Sequence, residues 1–188
     1  MRGTAALSPQ SLSEEDRRLV AAWAADCAER VLPLFAREAP QDDRVRDAIE
    51  RARGFSRGEL STAGEIRRRL VAGRAAGSAT SPAGIAAARA AAQAAGVAHM
   101  GAHALGAAAY AAKAAGLAHD DDTRADEARA DEVRWQLSHL TPEAAVALAR
   151  LPRLGTDSAG PLGPGLLARG ILATSIRELQ DGIALLTP

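Results

Sequence analysis

Between Val97 and Ala118 the chain places His99, His103, Tyr110 and Lys113 in a background that is nearly all Ala and Gly. At about 100° per residue these four fall within roughly 80° of one another on one side of a helix. Two imidazoles at i, i+4 can share a divalent metal. Alternatively, His99 or His103 can serve as a general base, with Asp26 orienting it and Tyr110 donating to an oxyanion. The run HMGAH lacks the Glu of the H-E-x-x-H motif. A third metal ligand would have to come through space from Asp26, Glu29, Glu50 or Asp120, so His99 and His103 are the weaker alternative to no metal at all. No cofactor is expected.

The competing reading is structural. Large polar groups on a helix lined by small residues must be satisfied, and carboxylates on facing helices would do so. Asp26 lies about 100° from Cys27, at the edge of a buried stripe, where a carboxylate wants a cationic or hydrogen-bonding partner. His99, His103, Arg46 and Arg53 are the candidates, with Glu50 and Arg53, three residues apart, joining the same network. As a ligand-binding set this gives Asp26, Glu50, Arg53, His99, His103, Tyr110 and Trp135. Cys27, in the apolar stripe, reads as an inert core thiol. His119 and His139 fall at helix ends, where they meet the macrodipole. Neither a Gly-rich phosphate loop nor a nucleophilic Ser elbow is present, and Arg67, Arg68 and Arg69 are too short a run for a nucleic-acid platform.

The elements that must position these groups read as helices throughout. Residues 1–12 form a flexible lead. Ser13, or Ser11 with Glu14 three residues on, caps a first helix to about Glu38, whose core stripe is Val20, Trp23, Cys27, Val31 and Leu34. Asp42 or Asp43 caps a second helix to about Arg57. A third covers about 63–75, with Ile66 and Leu70 inward. Ser81 before Pro82 starts the Ala-rich stretch, which divides near Gly96 into two helices. Asp120–Asp122 caps a helix over about 123–140, supported by Asp126–Arg129 and Asp131–Arg134 pairs; Thr141-Pro142 opens a shorter one. Residues 153–165 read as a Gly/Pro linker between the 13–152 domain and a terminal helix over 166–188. There Leu172, Ile176, Leu179, Ile183 and Leu186 make a heptad-like seam, which should dock on the domain or on a second copy as a homodimer. The fold class is all-α: a compact bundle of six to seven helices plus that C-terminal amphipathic helix.

Composition agrees. Aromatics are only 3 % while hydrophobics reach 47 %, so Ala-rich helix–helix packing must supply the core. The 23 basic and 23 acidic residues cancel, giving no overall case for nucleic acid or an anionic membrane. Arg44–Arg74 is locally basic and Asp120–Arg134 locally acidic; these are solvated faces or complementary patches. The lone Cys27 excludes an internal disulfide. With no apolar run of about 20 residues and no signal-like N-terminus, a soluble cytoplasmic protein is expected.

Three blocks, AAWAADCAERVLPLF (21–35), DDRVRDAIERARGFSRGEL (42–60) and AHMGAHALGAAAYAAKAA (98–115), resemble the Imm-five-like immunity protein family of bacterial polymorphic toxin systems, with VRWQLSHL (133–140) a fainter match. Asp26, Cys27, Glu29, Arg46, Ile49, Glu50, Arg53, Gly58, Glu59, His99, His103, Tyr110 and Trp135 sit at the pattern's recurring positions. Phe55 stands where it usually has Trp. The likeness spans roughly 16–140 and leaves out the Gly/Pro segment and the terminal helix. It implies self-protection by binding a protein toxin, without catalysis. The alternative is an enzyme or small-molecule-binding protein with a pocket built on Asp26, His99, His103 and Tyr110. A third reading is an oligomerisation module.

Overall fold

A computed structural model describes residues 8–68 and 70–187 of the chain, and among them every regular element is helical. The elements are α1 (Glu14–Ala36), α2 (Arg44–Ser56), α3 (Thr62–Arg68), α4 (Val71–Ala75), α5 (Pro82–Gly96), α6 (His103–Leu117), α7 (Asp122–Ser138), α8 (Pro142–Ala149) and α9 (Gly170–Leu186). Short 3-10 turns occupy Ala76–Ser78 and Leu166–Ala168. The third helix expected over 63–75 is thus two: Leu70 is 61 % exposed at the break, so it is not the inward anchor expected. Position 69, part of the expected Arg run, lies outside the described residues, as do residues 1–7 of the expected lead.

Local chemistry sets most of the boundaries. The Ser13 hydroxyl accepts from the Asp16 N–H at 3.0 Å to open α1. Ser81, Asp121 and Thr141 do the same for α5, α7 and α8, each satisfying a donor that the first helical turn leaves free. At α2 the cap position is Asp43, without a side-chain bond; Asp42 instead accepts from the Arg44 N–H and guanidinium, which holds its carboxyl well below the usual range.

α5 and α6 form the centre, an antiparallel pair whose facing surfaces are alanine. Ala87, Ala88, Ala90, Ala91, Ala107, Ala108 and Ala111 have no exposed surface. α1 lies across both, α2 covers α1 and α5, and α7 and α9 cover α6. Methyl-sized side chains let backbones approach closely, so a dense core forms with few large residues. Trp23, Phe35, Ile49 and Phe55 are large side chains buried in the same core. The Glu38 carboxylate, beyond the end of α1, accepts from the Thr80 and Ser81 N–H groups and both hydroxyls. Those donors pull its pKa down to about 2, and the contact pins the start of α5 to the end of α1.

Residues 8–12 and the 153–165 segment are more ordered than their composition implies. Gln10 is 1 % exposed. Its amide donates to Asp157 and to the Ala159 carbonyl, both at 2.7 Å, and its oxygen accepts from the Leu162 N–H at 2.9 Å. Gln10, Ser11 and Leu12 are buried, so this part of the expected flexible lead is anchored. The Gly/Pro segment is held by the same bonds, by Gly155 N–H to the Leu162 carbonyl, and by burial of Leu154 and Leu162. Beyond it, α9 lies against α6, α7 and α8 of its own chain. Leu172, Ile176, Leu179 and Ile183 are buried there, while Leu186 is 53 % exposed and drops out of the seam. Of the two dockings expected for this seam, on the domain or on a second copy, the contacts seen are with the chain's own helices. Arg129 reaches across to Glu178 of α9 at 2.7 Å instead of pairing with Asp126; the Asp131–Arg134 pair forms as expected.

Candidate functional site

His103 is the first residue of α6, and His99 lies on the turn before it, exposed. His103 therefore shares a helical face with Tyr110 and Lys113, but His99 does not, as an unbroken helix would require. The turn at 97–102 breaks the 100° progression. Nor, among the described residues, do carboxylates meet the rings. The His103 Nδ1 faces the Gln93 amide oxygen of α5 at 2.8 Å. An oxygen at that position calls for a hydrogen on Nδ1, which leaves Nε2 as an acceptor. Burial, with His99 adding to it, lowers the His103 pKa to about 4, so at neutral pH the ring is uncharged. Gly96 and Gly106 make this pair possible. A Cβ at Gly96 would sit 3.0 Å from the His103 ring, and one at Gly106 would collide with the Gln93 amide. The neutral His103–Gln93 pair replaces the histidine–carboxylate network expected.

Asp26 belongs to a different cluster. Arg53 of α2 donates to Asp26 at 2.9 Å, to Glu29 at 2.9 Å and to Glu50 at 3.3 Å. Asp26 and Glu50 are exposed with Glu29 on the α1–α2 surface, and the guanidinium lowers the Glu29 pKa. Of the partners considered for Asp26, Arg53 is the one present. Arg46 pairs with Asp43 instead, and neither imidazole approaches.

Trp135 forms a third cluster. It stacks on His139 with centroids 4.0 Å apart, and the Arg30 guanidinium lies 3.9 Å over its ring, a cation–π contact. His139 thus makes a ring contact beyond the helix-end role expected. Arg30 also holds both oxygens of Glu132 at 3.1 and 3.0 Å. Buried Gln136 donates to the Ala108 carbonyl at 3.0 Å and to Glu132 at 3.3 Å. Its backbone carbonyl accepts from Trp23 at 2.8 Å. Arg30, Glu132 and Gln136 join α1, α6 and α7 through polar contacts that sequence reasoning missed; a glutamine and glutamate four apart on a charged helix look like solvent-facing residues. Cys27 has no exposed surface, and burial, reinforced by Glu132 and Asp26, pushes its thiol pKa well up, away from nucleophilic use.

His99, His103 and Tyr110 do share one cleft, with Gln93, Met100 and the 160–167 turn. Among the described residues no carboxylate lines it. Lys113 opens onto a separate hollow beside His119, Asp122 and Ile171. Among the described residues no group of three His, Cys, Asp or Glu side chains could hold a metal, and no helix is long and apolar enough to cross a membrane.

The model of one family, described as Imm-5 like putative immunity protein, matches residues 10–143. That span runs from the Gln10 clamp to the start of α8 and takes in all three clusters. No curated protein and no solved structure matches the chain.

Proposed function

This chain belongs to the Imm-5 like putative immunity protein family, and from that premise we propose that it protects its cell by binding and neutralising a protein toxin, without catalysing a reaction. One observation carries the non-catalytic part. The residues that would have to converge in an active site are dispersed: Asp26 on Arg53, Trp135 between Arg30 and His139, His103 on Gln93. A general base needs an orienting partner and a pKa near working pH. His103 has an amide instead of a carboxylate and a pKa lowered to about 4. We place the partner contact on the α1–α2 face, where Asp26, Glu29 and Glu50 surround Arg53 and would meet a basic surface. Action in the bacterial cytoplasm, beside a toxin encoded in the same locus, completes the proposal.

The test is co-expression with the toxin specified by the neighbouring reading frame, read as growth rescue and as co-elution of the two chains. Wild type and His103→Asn should both rescue. Glu29→Arg with Glu50→Arg should weaken rescue and complex together. A toxin that neither binds nor is suppressed would overturn the proposal. So would loss of rescue in folded His103→Asn with the complex intact, which is the signature of chemistry.

A further inference from the structure

The cleft over the start of α6 has a volume of about 420 Å³, within the range of small-molecule sites. Met100, Leu166 and Leu167 supply apolar walls, and Leu166 is 59 % exposed, a large apolar side chain at the rim. Two polar groups in this cleft have unused hydrogen-bonding capacity. Tyr110 is only 4 % exposed. Its hydroxyl oxygen accepts from Arg89 at 3.5 Å, and among the described residues nothing accepts its O–H. The second group is His103, whose Nδ1 is taken by Gln93 while its Nε2 has no partner among the described residues. Tyr110 is buried and His103 half-buried at the wall of this cleft, and each keeps a hydrogen-bonding position that a ligand seated there can use. Arg89 adds charge: it lies 6.0 Å from the Tyr110 ring and, among the described residues, pairs with no carboxylate.

We propose that this cleft binds a small amphiphilic acid, with its carboxylate at Tyr110 and Arg89, an apolar ring-sized body against Met100 and Leu167, and an O–H or N–H donor directed at His103 Nε2. The chemistry at each end follows from what is free there. A tyrosine O–H beside an unpaired guanidinium favours an anionic acceptor, because charge-assisted bonds are the strong ones. A neutral imidazole with Nδ1 protonated accepts at Nε2 and therefore wants a donor. Tyr110 and His103 are seven residues apart on α6, about 10 Å of helical rise, so the ligand is elongated. The cleft lies apart from the Asp26–Arg53 face, so toxin binding and ligand binding can fail independently.

The probe is 4-hydroxycinnamate, titrated into the full chain and followed by calorimetry and by the His103 imidazole NMR signals. Cinnamate, which lacks the donor, and the methyl ester of the probe, which lacks the charge, serve as comparators. Saturable binding with a shift of the His103 ring is expected, weakened about tenfold or more by Tyr110→Phe and by Arg89→Gln, and weakened likewise for both comparators. Tyr110→Phe keeps the ring and its packing; exposed Arg89 can be changed without touching the core. The absence of a saturable His103 shift at millimolar probe overturns the proposal, as does wild-type affinity in folded Tyr110→Phe or Arg89→Gln.

Discussion

His103 gives the chain a pH dependence that can be worked out in sign. Its folded pKa is near 4, against 6.5 for the free side chain. At neutral pH the folded chain binds no proton there and the unfolded chain does so only in small part, so the group takes little from stability. As pH falls below 6.5 the unfolded chain takes up a proton that the folded chain refuses until about pH 4. Folding stability is lost across that window, by on the order of 3 kcal/mol in all. His103→Asn retains a donor toward Gln93 and removes the titration. Urea unfolding between pH 7 and 4 should therefore show a shallower decline for the variant, and parallel profiles would refute the account. Residue type alone singled out His103 and Tyr110 as polar groups in an alanine-rich stretch. Their partners were not legible there, because Gln93 reaches His103 only across the α5–α6 contact, ten residues away through a turn.

At the scale of elements, caps and breakers were readable because they act within four residues. Ser13, Ser81 and Thr141 begin α1, α5 and α8 as their sequence context requires. The segment 153–165 was not readable in this way. Its Gly and Pro content matches a linker, yet Gln10 bonds it at Asp157, Ala159 and Leu162. Gly160, at φ 78°, passes so close that an added Cβ would lie 2.7 Å from the Gln10 amide. Gln10→Ala should leave three polar groups of that segment without their protein partner. Hydrogen exchange at the Leu162 amide should accelerate by at least tenfold, while the α2 amides stay near wild-type rates. Unchanged exchange at Leu162 would show that the clamp is not what orders the segment.

For the whole molecule, the question is whether α9, beyond the family match, is an appendage or part of the core. Ile176 has no exposed surface and packs with Leu172, Leu179 and Ile183. Arg129 and Gln180 add polar ties to it and from it, Gln180 accepting from the Leu154 N–H at 3.0 Å. Ile176→Ala should cost about 2–5 kcal/mol, in one cooperative transition seen equally by helical circular dichroism and by Trp23 and Trp135 fluorescence. Separate transitions for helix content and fluorescence would mean that α9 unfolds on its own.

What the sequence by itself determined was the class of structure and the ends of most helices: alanine-rich periodicity and capping residues act through the backbone nearby, and they leave an all-α chain with its Ala-rich stretch divided at Gly96. Tertiary structure decided which polar groups share a neighbour. Asp26, His103 and Trp135 stand on different faces of the bundle because helix rotation and the turn at 97–102 set their directions. Each took the partner that close packing delivered, an arginine, an amide and a stacked cation, from positions that linear spacing does not encode.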